Sequence, residues 1–196
     1  MRNKVYIASC SFGKDSIASI LLALENKEPL DFVLFSEVMF DLKRNISAEF
    51  PEHIQWVYNT AIPKLKAMGL KVVVVRDDRD YIQLFHQRRI RGKYVGKIYG
   101  FPMVGKCDVN KLKLRPIRQF MKKFDGKEVV TYIGIAADEK RRLARLTENQ
   151  VSLLDKYGYT EEMATGKAKE YGLLSPLYEF KKRSGCWFCP NCQLKD

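Results

Sequence analysis

The stretch that most constrains the fold lies at the N-terminus. Val5-Tyr6-Ile7-Ala8 is an apolar run the length of a buried strand. Ile17-Ala18-Ser19-Ile20-Leu21-Leu22-Ala23-Leu24 reads as a buried helix, and only the polar turn Ser11-Phe12-Gly13-Lys14-Asp15-Ser16 precedes it. A strand passing through a tight turn into a helix leaves first-turn N–H groups facing outward, where the helix dipole favours an anion. The residue types suit that geometry: Gly13 lets a phosphate approach the backbone, Ser11 and Ser16 carry hydroxyls, and Lys14 adds a point charge. Asp15 or Ser16 is placed to cap the helix. The blander reading is an ordinary capped turn. A Walker loop is excluded, because it needs a second glycine five residues before the Gly-Lys pair.

The rest of the chain repeats the pattern. Asp31-Phe32-Val33-Leu34-Phe35 is a second buried strand, a helix opened by Pro51 runs to about Met68 with a break or kink at Pro63, and Lys71-Val72-Val73-Val74-Val75 is a third strand. The stretch 77–107, rich in Arg, Lys and Gly, reads as a basic loop or short hairpin. A basic helix interrupted near Pro116 follows, then a fourth strand over 128–135 and a charged helix from Lys140. Residues 158–172 read as a looser region and 173–180 as an edge strand. Alternating strands and helices predict an α/β, doubly wound, mainly parallel sheet with a C-terminal cysteine knuckle, organised as one domain over 1–196.

Charge is distributed unevenly. The net charge is +12, and the basic insertion 85–123 holds twelve Lys or Arg against one acid, Asp108, a local charge of +11. Such a block suits a polyanion, and Tyr94, Tyr99 and Phe101 interleave it as stacking surfaces would, although a charge run is commonly just a solvated face. Arg88, Arg89, Arg91, Lys93, Lys111 and Lys113 are the candidate phosphate contacts here. No apolar run approaches the ~20 residues that span a bilayer, so no membrane partner and a cytoplasmic location are expected.

Five cysteines are present, and their distribution points to metal rather than disulfides. The metal-binding tail, 184–192, places Cys186, Cys189 and Cys192 at three-residue intervals, and Cys107 is available as a fourth ligand. Four thiolates suit a [4Fe–4S] cluster or a structural zinc. Cys10 reads as a small buried hydrophobe at a strand end, and the lone His53 and His86 as surface or core residues rather than metal ligands.

The loop 11–16 resembles the Ser-Gly-Gly-x-Asp-Ser loop of the PP-loop superfamily, with Phe12 where the first glycine lies. Within it the chain resembles the phosphoadenosine phosphosulfate (PAPS) reductase family, including its phosphorothioation sulfurtransferase-like branch. Gly134-Ile135-Ala136-Ala137-Asp138-Glu139 resembles that family's Gly-x-Arg-x-Asp-Glu segment, with Ala136 replacing the arginine and Arg141, Arg142 or Arg145 near enough to substitute. The alternative there is a helix start with acids at its positive end. Cys107-Asp108-x-x-Lys111-Leu112-Lys113 resembles the sulfurtransferase-like members.

The resemblance implies an adenine nucleotide, ATP or PAPS, held by Ser11 to Ser16 across the ends of the first and second strands, with backbone near Phe35 and Ser36 and at Gly134 completing the site. It implies Mg²⁺, Lys14, Asp15 and Asp138 as catalytic residues, and two competing chemistries. One is ATP-dependent adenylation and sulfur transfer to a nucleic acid, tRNA or DNA, with a sulfur-donor protein as a further partner. The other is reduction of PAPS or adenylyl sulfate to sulfite. A non-catalytic, zinc-stabilised nucleic-acid-binding module is the reading from outside enzymology. The oligomeric state is open.

Overall fold

A computed structural model describes residues 3–103, 107 and 109–189. Five strands, β1 (Lys4–Cys10), β2 (Phe32–Glu37), β5 (Val72–Arg76), β6 (Glu128–Ile133) and β7 (Gln150–Val151), form one sheet in the order β5-β2-β1-β6-β7. Every pairing in it is parallel, with Ile7 aligned to Phe32 on one side and Thr131 on the other. The expected α/β, mainly parallel fold is therefore present.

Period-two alternation decides which side chain goes to which layer. Ala8 and Cys10 of β1, Val33 and Phe35 of β2, and Val130 and Tyr132 of β6 enter one core. Val5, Ile7 and Leu34 enter the other. A parallel sheet must cover both faces, and these strands are accordingly apolar on both. The first core is closed by α1 (Lys14–Glu25), α7 (Leu153–Lys156) and α8 (Glu161–Glu170). The second is closed by α5 (Asn110–Met121) through Phe120 and Ile117.

Several sequence expectations change here. The 51–68 helix does not break at Pro63. Between α2 (Pro51–Trp56) and α3 (Ile62–Ala67) the chain takes a wider π turn over Val57–Ala61, which absorbs the missing proline N–H. Pro116 does not interrupt α5, because its ring is buried within the continuous helix. The looser region at 158–172 contains α8, whose only buried residues are Ala164 and Ala168, too small to write an apolar periodicity. The edge strand at 173–180 is instead a 3₁₀ turn, Pro176–Glu179, started by Ser175 Oγ accepting from Leu177 N at 3.3 Å. Within 77–107 a short helix, α4 (Tyr81–His86), stands on a capping box between Asp80 and Gln83. The basic stretch after it turns back on itself, Arg88 bridging Ile98. A two-stranded hairpin, β3 (Met39–Asp41) with β4 (Ile46–Ser47), projects after β2, and α6 (Lys140–Leu143) is a single turn. Among the described residues no helix is long and apolar enough to cross a membrane.

Candidate nucleotide site and cysteine knuckle

From β1 the chain winds outward through β2 to β5, and from β6 outward to β7, so the strand order reverses between β1 and β6. Crossovers leaving in opposite directions open a crevice there. A cleft of about 830 Å³ occupies it, lined by Ser9 to Ser11 and Gly13 to Ser16 from the β1–α1 side and by Ile133, Gly134 and Glu139 from the β6 side. The strand order therefore puts the crevice between β1 and β6, whereas the sequence reading places it at the ends of β1 and β2. No residue of β2 lines the cleft.

The loop is built by its own side chains. Ser16 Oγ donates to the carbonyl of Gly13 at 2.9 Å and accepts from Ser11 N at 3.3 Å, and Ser11 Oγ accepts from Gly13 N at 3.4 Å. Helix α1 has no side-chain cap, contrary to the role expected of Asp15 or Ser16, because the N-cap position falls on Gly13. Phe12 adopts φ +57, a left-handed conformation costing a β-carbon-bearing residue about 1–2 kcal/mol. Burial of its ring, edge-on to Phe35 at 5.1 Å, offsets that. Phe12 and Phe35 are wholly buried and Ser36 nearly so, its hydroxyl donating to Lys113 O at 2.8 Å. None of the three presents a surface to the cleft. The side chains of Phe12, Phe35 and Ser36 are thus taken up by core packing. Gly134 earns its place by closeness: a β-carbon there would lie 2.6 Å from Ser16 N.

Lys14 Nζ lies 2.9 Å from both Asp15 and Glu161 carboxylates. Burial opposes its charge, but the hydrogen bonds it donates to Glu161 and Asp15 outweigh that and raise the Lys14 pKa, while burial raises the Asp15 carboxyl. Asp138 is directed elsewhere: exposed, it accepts from Glu161 N at 3.2 Å in the first turn of α8, whereas Glu139 lines the cleft with Asp15 and Glu161. Arg142 also lines the cleft but is held by Glu139 at 2.5 Å, whereas Arg141 is exposed and outside it.

The remaining wall comes from residues that sequence reasoning missed. Tyr178, Lys182, Arg183 and Ser184 lie over the loop. Tyr178 Oη accepts from Lys14 N at 3.1 Å. Lys113, Lys182 and Arg183 make no ion pair among the described residues, and they line the cleft together with the carboxylates of Asp15, Glu139 and Glu161. The only available signal was Lys181-Lys182-Arg183 itself, a short charge run indistinguishable from solvated surface. His53, fully buried, joins the two walls: its Nε2 donates to Ser11 O at 3.2 Å and its Nδ1 accepts from Ser175 Oγ at 2.8 Å. Burial holds it below its ordinary value and hence neutral.

The knuckle folds back beside this cleft. Cys186 bridges Glu49, Trp187 N donates to Ala48 O at 3.0 Å, and Phe188 stacks on Tyr81 at 4.3 Å. Cys107 and Cys186 pack on the same apolar cluster as Val109 and Leu112. Burial pushes the Cys186 thiol up to about 12, with the Glu49 carboxylate and the Cys107 and Cys189 thiols adding to it and Lys113 opposing them. A thiolate there needs added positive charge, and soft sulfur donors in one neighbourhood fit a metal or cluster in kind. Among the described residues, no three His, Cys, Asp or Glu side chains close around one point. Cys192, the fourth expected ligand, lies outside the described residues.

The basic insertion forms a separate surface. Arg88 donates to Gly96 O at 2.7 Å, and Arg89 and Lys111 both sit over the Tyr99 ring. Arg91 and Lys93 are exposed, as are Ile90, Val95, Phe101 and Met103.

No protein-family model matches the chain, and no curated protein matches it in sequence. Among solved structures it is similar to the U34-tRNA thiolase NcsA from Methanococcus maripaludis with its [4Fe-4S] cluster, at 13% identity and a TM-score of 0.51 over 95% of this chain. The likeness shows the α/β fold, and the chain spans 60% of that structure's length.

Proposed function

We propose that this chain is a PP-loop adenine-nucleotide enzyme of the sulfurtransferase-like kind within the PAPS reductase family, which activates an oxygen of a nucleic acid with ATP and replaces it with sulfur. The observation that carries the reading is the placement of the loop 11–16 at the β1/β6 crevice, opposite Lys113, Lys182 and Arg183, none of which makes an ion pair among the described residues. A polyphosphate is the ligand that such a cleft compensates. The thiolase likeness and the cysteine knuckle beside the cleft support sulfur transfer over other uses of the nucleotide.

In this reading the acceptor oxygen attacks the α-phosphorus, the bond from that phosphorus to the bridging oxygen breaks, and pyrophosphate leaves. A sulfur nucleophile from a donor then attacks the activated carbon, and AMP departs with the original oxygen. Lys113, Lys182 and Arg183 offset the charge that builds on pyrophosphate. Asp15 and Glu161, which share Lys14, would hold Mg²⁺ arriving with the phosphates. Cys107, Cys186, Cys189 and Cys192 would hold the [4Fe–4S] cluster, which when bound supplies a site for sulfur. The exposed basic and apolar insertion would bind the nucleic acid, tRNA being favoured over DNA by the thiolase likeness.

The test is product analysis with the anaerobically prepared full chain, ATP-Mg²⁺, bulk tRNA and sulfide. AMP, pyrophosphate and thiolated nucleoside should appear in equal amounts and only when tRNA is present. AMP formed equally without any nucleic acid would contradict the reading.

A further inference from the structure

The segment from Ser175 to Trp187 is tied down at both ends and touches the phosphate loop in the middle. At one end Ser175 is bonded to His53, and Leu177 is wholly buried. At the other Cys186 bridges Glu49, and Trp187 donates both its backbone and its indole N–H to the β3–β4 hairpin region, at Ala48 O and Ser47 O. Between them Tyr178 Oη takes the N–H of Lys14, the first residue of α1, which is the kind of group a bound phosphate would claim. A β-carbon added to Gly13 would lie 2.9 Å from Ser184 Oγ and 3.0 Å from Tyr178 Oη, so the segment rests against the loop. Gly185, at φ +152, is the one residue between Ser184 and the knuckle, and its backbone conformation is one that side-chain-bearing residues rarely adopt.

We infer that Tyr178 senses the phosphate of the bound nucleotide and that the segment Tyr178–Gly185 transmits its presence to the cysteine knuckle. This rests on the nucleotide reading above. An anion on the Lys14 N–H removes the donor that holds the phenol. The phenol then leaves the loop. Lys182 and Arg183 move toward the added negative charge. Because only Ser184 and Gly185 separate Arg183 from Cys186, the shift reaches the residue bridged to Glu49 and the Trp187 amide bonded to Ala48. The knuckle would in this way take up its working arrangement only when the nucleotide is in place.

The test is hydrogen exchange of the full-length chain, following the Trp187 amide with ATP-Mg²⁺, with pyrophosphate and with adenosine, and measuring each binding constant in parallel. ATP and pyrophosphate should change exchange at Trp187, and adenosine should not. Tyr178→Phe, which removes the competing oxygen, should bind pyrophosphate as tightly as wild type or up to about fivefold more tightly, the equivalent of one neutral hydrogen bond. It should also leave exchange at Trp187 insensitive to the ligand. Binding to wild type without any change at Trp187, or an undiminished response in Tyr178→Phe, would overturn the inference while leaving the nucleotide site intact. Absence of nucleotide binding to wild type would overturn both.

Discussion

The ring nitrogen Nε2 of His53 lies 3.2 Å from the carbonyl oxygen of Ser11, and Nδ1 of the same ring lies 2.8 Å from Ser175 Oγ. One buried imidazole thus fastens the phosphate loop to the start of the segment that covers it. Burial lowers its pKa, and the only opposing influence is the Ser11 carbonyl. In the unfolded chain the ring titrates near 6.5, so above that pH both states are neutral and the stabilisation is complete. As pH falls below 6.5 toward the lower folded value, the unfolded state takes up a proton that the folded state refuses, and stability is lost. Urea unfolding should show a larger loss of stability between pH 7.5 and pH 5.5 in wild type than in His53→Gln. Equal losses in the two proteins would remove His53 from this role.

Gly134→Ala forces a β-carbon to within 2.6–2.8 Å of backbone atoms of Asp15 and Ser16, which no side-chain rotation relieves. The loop or β6 must shift. Denaturant unfolding should show a loss of about 1–3 kcal/mol, and ATP affinity should fall even where the variant remains folded. Unchanged stability and affinity would mean that the strand end and the loop are not packed as described.

The basic insertion separates binding charge from solvated charge through salt. Replacing Arg88, Arg91, Lys93 and Lys97 with Ala should flatten the log–log salt dependence of single-stranded RNA binding by about 3, at about 0.7 per phosphate contact. Phe101→Ala should weaken binding at every salt concentration without changing the slope, since its exposed ring offers a stacking surface. A quadruple variant with the wild-type slope would assign these cations to solvation alone.

Local pattern revealed the sheet and the loop, and tertiary closure hid the rest. Residues 5–8, 32–35 and 128–133 announced themselves because a doubly covered parallel strand must be apolar on both faces. Helix α8 did not, because its contact with α1 is made by alanines. The placement of Asp138 and Glu139 depended on which carboxylate the incoming α8 amide would engage, a contact 23 residues away in sequence. Tyr178, Lys182 and Arg183 reach the cleft only because Ser175 and Cys186 are anchored on either side, and no motif marks that return. The crevice position followed from strand order, which alternating elements alone do not specify.

The central claim, that the β1/β6 cleft is a polyphosphate site, is tested most directly by titrating ATP-Mg²⁺ into the full chain by calorimetry, with Lys182→Ala/Arg183→Ala alongside. Both residues are exposed and make no ion pair among the described residues, so the double variant should keep the wild-type unfolding midpoint. Hydrogen bonds from charged groups contribute about 1.5 kcal/mol or more each, so wild type should bind ATP and the double variant should bind about 100-fold more weakly. Pyrophosphate should compete with ATP in wild type. No measurable binding to wild type, or equal affinity in the two proteins with pyrophosphate failing to compete, would contradict the account.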